Sequence, residues 1–374
     1  MSTQVSRVSP RPTRAAPRSG APFPWHRVPF LVAAGLALLA GLDAATLLIG
    51  LPAPVTTARL PEIHGALMVL GFVGTLIALE RAVALRRRLA LASPGLLGAG
   101  TLLLLTPLPL AVGQVALVAG SLALVVVYLP LWRRQEDDAV LVQAMGAVLA
   151  VGGATLWARG DDIALLLPWL VGFVVLTIAG ERLELARLHI GEAAARRLAP
   201  LAGALVAATV AATVWDRLYP LLGLALLALV GWLVRHDVAR RTVRGTGLPR
   251  FAAACLLSGY AWLAVTGTIW LLGGRVVDGG GYDAAVHATF LGFAMSMILA
   301  HAPVILPAVL RRPLPYHPAM YASAGLLHAG LLVRLWLGDA LAWPGAWRTG
   351  ATLTIVALLG LVATAVWSGA RRTA

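Results

Sequence analysis

The chain has one cysteine, no lysine and few charges of any kind: 12% of its 374 residues are charged. A single thiol, Cys255, excludes a disulfide framework, a Cys-ligated zinc or iron–sulfur centre and a C-x-x-C-H haem attachment. Ordinary soluble domains carry about a quarter charged residues, so this scarcity excludes a soluble globular chain. Acids are rarer than bases, 16 against 30 arginines, for a net charge of +14. That surplus does not imply nucleic acid, because the arginines fall between apolar blocks and form no stripe. The use of Arg alone reads as genomic composition bias.

What is abundant is apolar sequence, 59% of the chain, in blocks long enough to span a bilayer. Twelve helices are expected, at about 28–50, 62–85, 91–109, 111–131, 139–158, 163–187, 198–215, 217–234, 250–273, 284–310, 318–338 and 346–369. The expected fold class is an all-α polytopic membrane protein, residues 28–374, behind a disordered basic cytoplasmic tail, residues 1–27. No cleavable signal is expected, since the first apolar block is long and lacks a clear small-residue cleavage site. With the N-terminus inside, 24 arginines fall on the inner side. Only Arg59, Arg159, Arg217, Arg275, Arg334 and Arg348 lie toward the outer one. This places both termini in the cytoplasm of a bacterial-type inner membrane. The basic inner face suits anionic membrane lipid.

A repeat is visible in the only three Gly-Phe pairs, Gly71-Phe72, Gly172-Phe173 and Gly292-Phe293, on helices 2, 6 and 10. Nine residues after each glycine stands Glu80, Glu181 or His301, and the first two continue as Glu80-Arg81 and Glu181-Arg182. The four-helix interval predicts three four-helix units in a pseudo-threefold arrangement, which disfavours two six-helix transporter halves.

Ionisable side chains inside a lipid span are costly, which makes them functional candidates. His26, His189, His236 and His317 lie in the tail or in Arg-rich loops; His64, His287, His301 and His328 lie in spans. His64 and His287 each sit three or four residues into an inward-running helix, at matched depth. Two such imidazoles can ligate haem iron axially, with Gly65, Ala66 and Ala288 leaving room beside the plane. Alternatively each caps a helix start or bonds across an interface. Each ring needs a partner for its second nitrogen, which sequence does not reveal. His287 and His301 share one face but are about 21 Å apart along the axis, so one iron cannot bind both.

His301 shares its depth with Glu80 and Glu181. The three could form a hard metal site or a proton relay, or the glutamates could pair with the adjacent arginines. Arg334 would neutralise haem propionates or snorkel to the interface beside Trp336. His328 is a second-site ligand or an interhelical donor. Asp43, Gln114, Gln143 and Tyr260 read as glue between helices.

With His64-Gly65-Ala66-Leu67-Met68 opening helix 2, His287 opening helix 10, twelve helices and a threefold grouping, the chain resembles the haem–copper oxidase catalytic subunits. Within that neighbourhood it is most similar to the NnrS family. The pentapeptide is similar to the oxidase haem-ligand motif H-G-x-x-M. The resemblance implies haem b, copper as a further cofactor, and a role in nitric oxide or nitrosative stress. It departs where oxidases hold copper. Helix 6 reads Leu170-Val171-Gly172-Phe173-Val174-Val175 and helix 7 has no histidine; helix 10 also lacks the His-x-His pair that serves two haems. Oxygen reduction by the oxidase mechanism is therefore not expected. Measured from Gly71 and Gly292, His64 stands seven residues upstream and His287 five, so they are not strict repeat equivalents unless a bulge or kink intervenes. Three functions remain: a haem b protein carrying electrons or binding a diatomic gas, a cofactor-free secondary transporter, and an assembly helper with an oxidase-like shell. No redox partner is identified.

Overall fold

The computed structural model describes residues 23–187, 189–310 and 316–370. Most of the expected tail, residues 1–22, lies outside these, as do Arg311, Arg312, Arg371 and Arg372. The described residues are helical with no strand, and eleven helices are long and apolar enough to cross a membrane. The protein is an all-α, multi-pass membrane protein.

In chain order the helices are α1 (Trp25–Leu48), α2 (Arg59–Leu85), α3 (Arg88–Leu104), α4 (Leu110–Arg134), α5 (Asp138–Arg159) and α6 (Ile163–Ala186). They continue as α7 (Glu192–Val214), α8 (Asp216–His236), α9 (Gly247–Gly273), α10 (Gly279–Ile305), α11 (Met320–Ala340) and α12 (Pro344–Thr364). Eleven of these are full spans. The expected third helix, 91–109, is the exception, because it stops at Leu104 and is too short to count as one. Its end follows from Pro107 and Pro109, since a residue before proline is pushed out of helical geometry and proline donates no N–H. Arg59 secures this turn by donating Nη1 to the carbonyls of Thr106 and Leu108. At the start of the chain's first helix, Trp25–Arg27 already form a helical turn, so helix begins within the residues expected to belong to the tail. Side-chain caps close two starts: Asp137 accepts from the Ala139 N–H and Asp162 from the Ala164 N–H.

Burial separates the helices into a centre and a rim. The apolar windows of α2, α6 and α10 are 72%, 83% and 67% buried, and no other span exceeds 56%. These are the three helices of the Gly-Phe repeat, four apart, which makes them the inner members of three successive units. Phe72, Phe173 and Phe293 are all buried. Each glycine lets a flanking helix approach closely: a Cβ on Gly71 would meet Thr101 of α3, on Gly172 Leu149 of α5, and on Gly292 Trp262 of α9. At Gly292 the added atom would lie 2.4 Å from the Trp262 ring, a clash of the kind that costs about 1–3 kcal/mol in a packed interior.

The glycines of α2 and α10 also lie within π-helical stretches, Leu67–Gly74 and Ala288–Ala294. Gly71 and Gly292 are each the fifth residue of their stretch. The bulge that would reconcile the two histidines thus occurs in both helices at the same place. It cancels, and His64 and His287 remain two residues out of repeat register. A third π-helical stretch, Val333–Ala340, contains Arg334.

Candidate functional site

The start of α2, the start of α10 and the middle of α11 come together at one end of the bundle. His64 has both His287 and Arg334 within electrostatic range. Its Nδ1 lies 2.9 Å from the carbonyl oxygen of Gly41 on α1. A carbonyl only accepts, so Nδ1 carries the proton and Nε2 is a bare lone pair. The approach of α1 to α2 at this level depends on Gly41, where a Cβ would fall 2.4 Å from the Met68 sulfur.

His287 repeats this chemistry by another route. Its Nδ1 lies 2.9 Å from the Asp283 carbonyl one turn earlier and 3.1 Å from the Asp283 carboxylate. Nδ1 again donates, so in the neutral ring Nε2 is the lone pair. Among the described residues neither Nε2 has a hydrogen-bond partner. A carboxylate behind a ligating imidazole fixes its tautomer and raises its basicity, so Asp283 is a supporting group of the expected kind. The matched i, i+4 spacing of Asp283 and His287 was the available sequence signal for it. Nothing in the sequence marks the Gly41 carbonyl.

Arg334 is buried at this end but in neither expected role. It donates Nε and Nη2 to the two Asp283 oxygens at 2.8 and 2.7 Å, and its guanidinium lies 4.9 Å from the Trp347 ring centroid. Trp347 adds an indole donor to the same carboxylate at 3.2 Å. The guanidinium therefore holds a protein carboxylate in the bidentate geometry expected for propionates, and it does not reach for the interface.

His328 is not free to be a ligand. Trp262 Nε1, which can only donate, lies 3.0 Å from its Nδ1, and Ser296 Oγ lies 3.5 Å from its Nε2. The ring stacks on Trp262 with an interplanar angle of 10°. Of its two expected roles, the structure fits the interhelical hydrogen bond, joining α9, α10 and α11.

At the opposite, Arg-rich end, Glu80, Glu181 and His301 do not gather as a ligand set, and among the described residues no cluster of three or more metal-ligating side chains exists. Two buried arginines draw the candidates apart. Arg81 reaches Glu80 at 2.6 Å, Gln143 at 2.9 Å and Glu184 at 3.2 Å. Arg182 binds both oxygens of Asp237 at 2.7 and 2.8 Å and faces His301 Nε2 at 3.1 Å. A nitrogen that accepts from a guanidinium cannot also bind a cation. Tyr260 completes this second group by donating to Asp237 at 2.6 Å. Burial alone would raise the Asp237 carboxyl, but bonds from Arg182, Tyr260 and the Ala239 N–H hold it below the ordinary carboxylate range.

The two arginines of the repeat do the same thing. Arg81 leaves unit one for α5 and α6; Arg182 leaves unit two for α10 and the loop after α8. The third unit has Ala302 at this position and no such arm.

A family model described as "Domain of unknown function (DUF8744)" matches residues 27–370. No curated protein matches the chain, and no solved structure does.

Proposed function

Since the chain belongs to the DUF8744 family, whose description assigns no activity, we propose a function from the geometry of the His64 end. The protein is a b-type haem-binding membrane protein in which His64 and His287 would hold the iron. One observation carries this reading: both imidazoles spend Nδ1 on an oxygen acceptor and keep Nε2 unpartnered, on two neighbouring helices. Both rings are partly exposed, so each Nε2 is an accessible lone pair that a shared metal ion could take up. Haem would supply one-electron redox chemistry. The chain's part is to fix both tautomers, through Gly41 and Asp283, and to keep Asp283 ionised and oriented through Arg334 and Trp347.

With both positions filled, electron transfer is the favoured activity. Binding of a diatomic gas requires one imidazole to leave. The connection with nitric oxide or redox stress rests on the resemblance to NnrS proteins alone. Copper has no ligand cluster to assign among the described residues. The arginine bias supports an inner-membrane protein with both termini cytoplasmic, putting His64 and His287 near the outer leaflet.

The test is the visible spectrum of purified protein from haem-replete cells, oxidised and dithionite-reduced, with a pyridine haemochrome. Sharp reduced bands that disappear in both His64→Ala and His287→Ala support the proposal. Colourless protein overturns it and returns the transporter and helper readings.

A further inference from the structure

An apolar cavity of about 330 Å³ lies toward the Arg-rich end, enclosed by α1, α2, α6, α10, α11 and α12. Leu38, Phe72 and Met297 form much of its wall, and Glu80 and Glu181 mark a polar end. Gly35 of α1 and Leu361 and Val362 of α12 line it while remaining partly exposed, so it opens between the first and last helices. Leu36, Leu39, Val356 and Leu359 flank that opening as exposed apolar side chains, the surface a lipid-facing portal requires.

Glu181 distinguishes this cavity from a packing defect. The residue is 8% exposed and lines the cavity, yet no hydrogen bond reaches its carboxylate among the described residues. Its nearest cation, Arg81 Nη2, is 4.0 Å away, and Arg81 is engaged by Glu80, Gln143 and Glu184. A buried carboxylate lacking a donor is expensive, and the cavity wall beside it is mainly apolar, with Glu80, His301, Ser323 and Thr364 as its other polar lining residues.

We propose that this cavity binds a neutral amphiphile from the bilayer, with an apolar chain toward the portal and a phenolic hydroxyl donating to Glu181. An anionic head would sit against two carboxylates. A cationic head would be stripped of water beside Arg81. A neutral hydroxyl supplies the missing donor at the smallest desolvation cost, and Phe72 and Met297 offer faces suited to an aromatic head. At about 330 Å³ the space is at the lower end of small-molecule sites, enough for one ring and the start of a chain. The inference does not depend on haem, because the two sites share no ligand residue.

The experiment compares para-dodecylphenol with para-dodecylanisole, its methyl ether, by calorimetric titration of the full chain in detergent. The phenol binds about tenfold more tightly than the ether, the worth of one well-made hydrogen bond. In Glu181→Gln that preference falls to about threefold or less while the ether's affinity is unchanged. Gly35 lines the cavity and a Cβ there has nothing within 4 Å, so Gly35→Trp adds bulk at the opening without a clash and removes binding of both probes. Melting temperature confirms that each variant is folded. Equal affinity for the two probes, a phenol preference that survives in Glu181→Gln, or full binding by Gly35→Trp overturns the proposal and leaves Glu181 to water.

Discussion

The two ends of the bundle use ionisable residues in opposite ways. At the Arg-rich end Arg81 and Arg182 are buried, each clamping acids or an imidazole from a following unit, while Arg81 Nε has no hydrogen-bond partner among the described residues. At the His64 end the ion pair of Asp283 with Arg334 stands behind an imidazole and leaves that imidazole a free nitrogen. Arginines engaged by several helices hold those helices together. A cluster that ends in unpartnered lone pairs is prepared for something else. Burial of charge alone would have ranked the two ends equally.

The comparison is broken most severely at the Arg-rich end. Arg182→Ala leaves Asp237 as an uncompensated buried charge and should cost about 3–5 kcal/mol in a reversible unfolding titration. Asp283→Asn, at the other end, removes one charge-assisted bond set and should cost about 1.5–3 kcal/mol. It should also raise the midpoint potential of the bound haem by making His287 less basic, read by redox titration. A potential equal to wild type would show that Asp283 has no positioning role.

Acid sharpens the same contrast. The folded-state pKa of Asp237 is depressed, so its contribution is complete above the ordinary carboxylate value of about 4 and disappears as pH falls through the folded value. Asp237→Asn should therefore be less stable than wild type at neutral pH and lose less on acidification, measured by melting temperature across an acid series. The smallest effects fall on the interhelical hydrogen bonds. Trp262→Phe, which removes the donor to His328, should cost about 0.6 kcal/mol and leave any haem spectrum unchanged. His64→Ala should cost as little in stability, yet take the colour with it.

Most of the architecture was legible because the bilayer imposes a length on apolar sequence; where the reading slipped, at α3, two prolines shortened a block that hydropathy alone extends to 109. The repeat was legible too, since a glycine that admits a neighbouring helix must recur wherever the packing does. The site was half legible. Depth matching brought His64 and His287 together, but the groups that orient them are a backbone carbonyl and an aspartate that had been passed over. Arg334, expected either at a ligand's carboxylate or at the interface beside Trp336, meets Asp283. The Glu80 pairing followed from its adjacent arginine, whereas Asp237, which no motif marks, is the partner that decides Arg182 and hence His301. Sequence shows which residues are costly to bury; only their neighbours show whether that cost is already offset.

The forward reach of Arg81 and Arg182 has a consequence for biogenesis. A chain inserted from its N-terminus presents each guanidinium to the bilayer before Gln143, Glu184, Asp237 or His301 has been synthesised. Each unit is thus unfinished until its successor arrives, and the last, with Ala302 in place of an arginine, waits for nothing. Ribosome-nascent chains halted after α4 or after α8 should accordingly be held by the insertion machinery, and release should follow only when α6 or α10, respectively, has emerged.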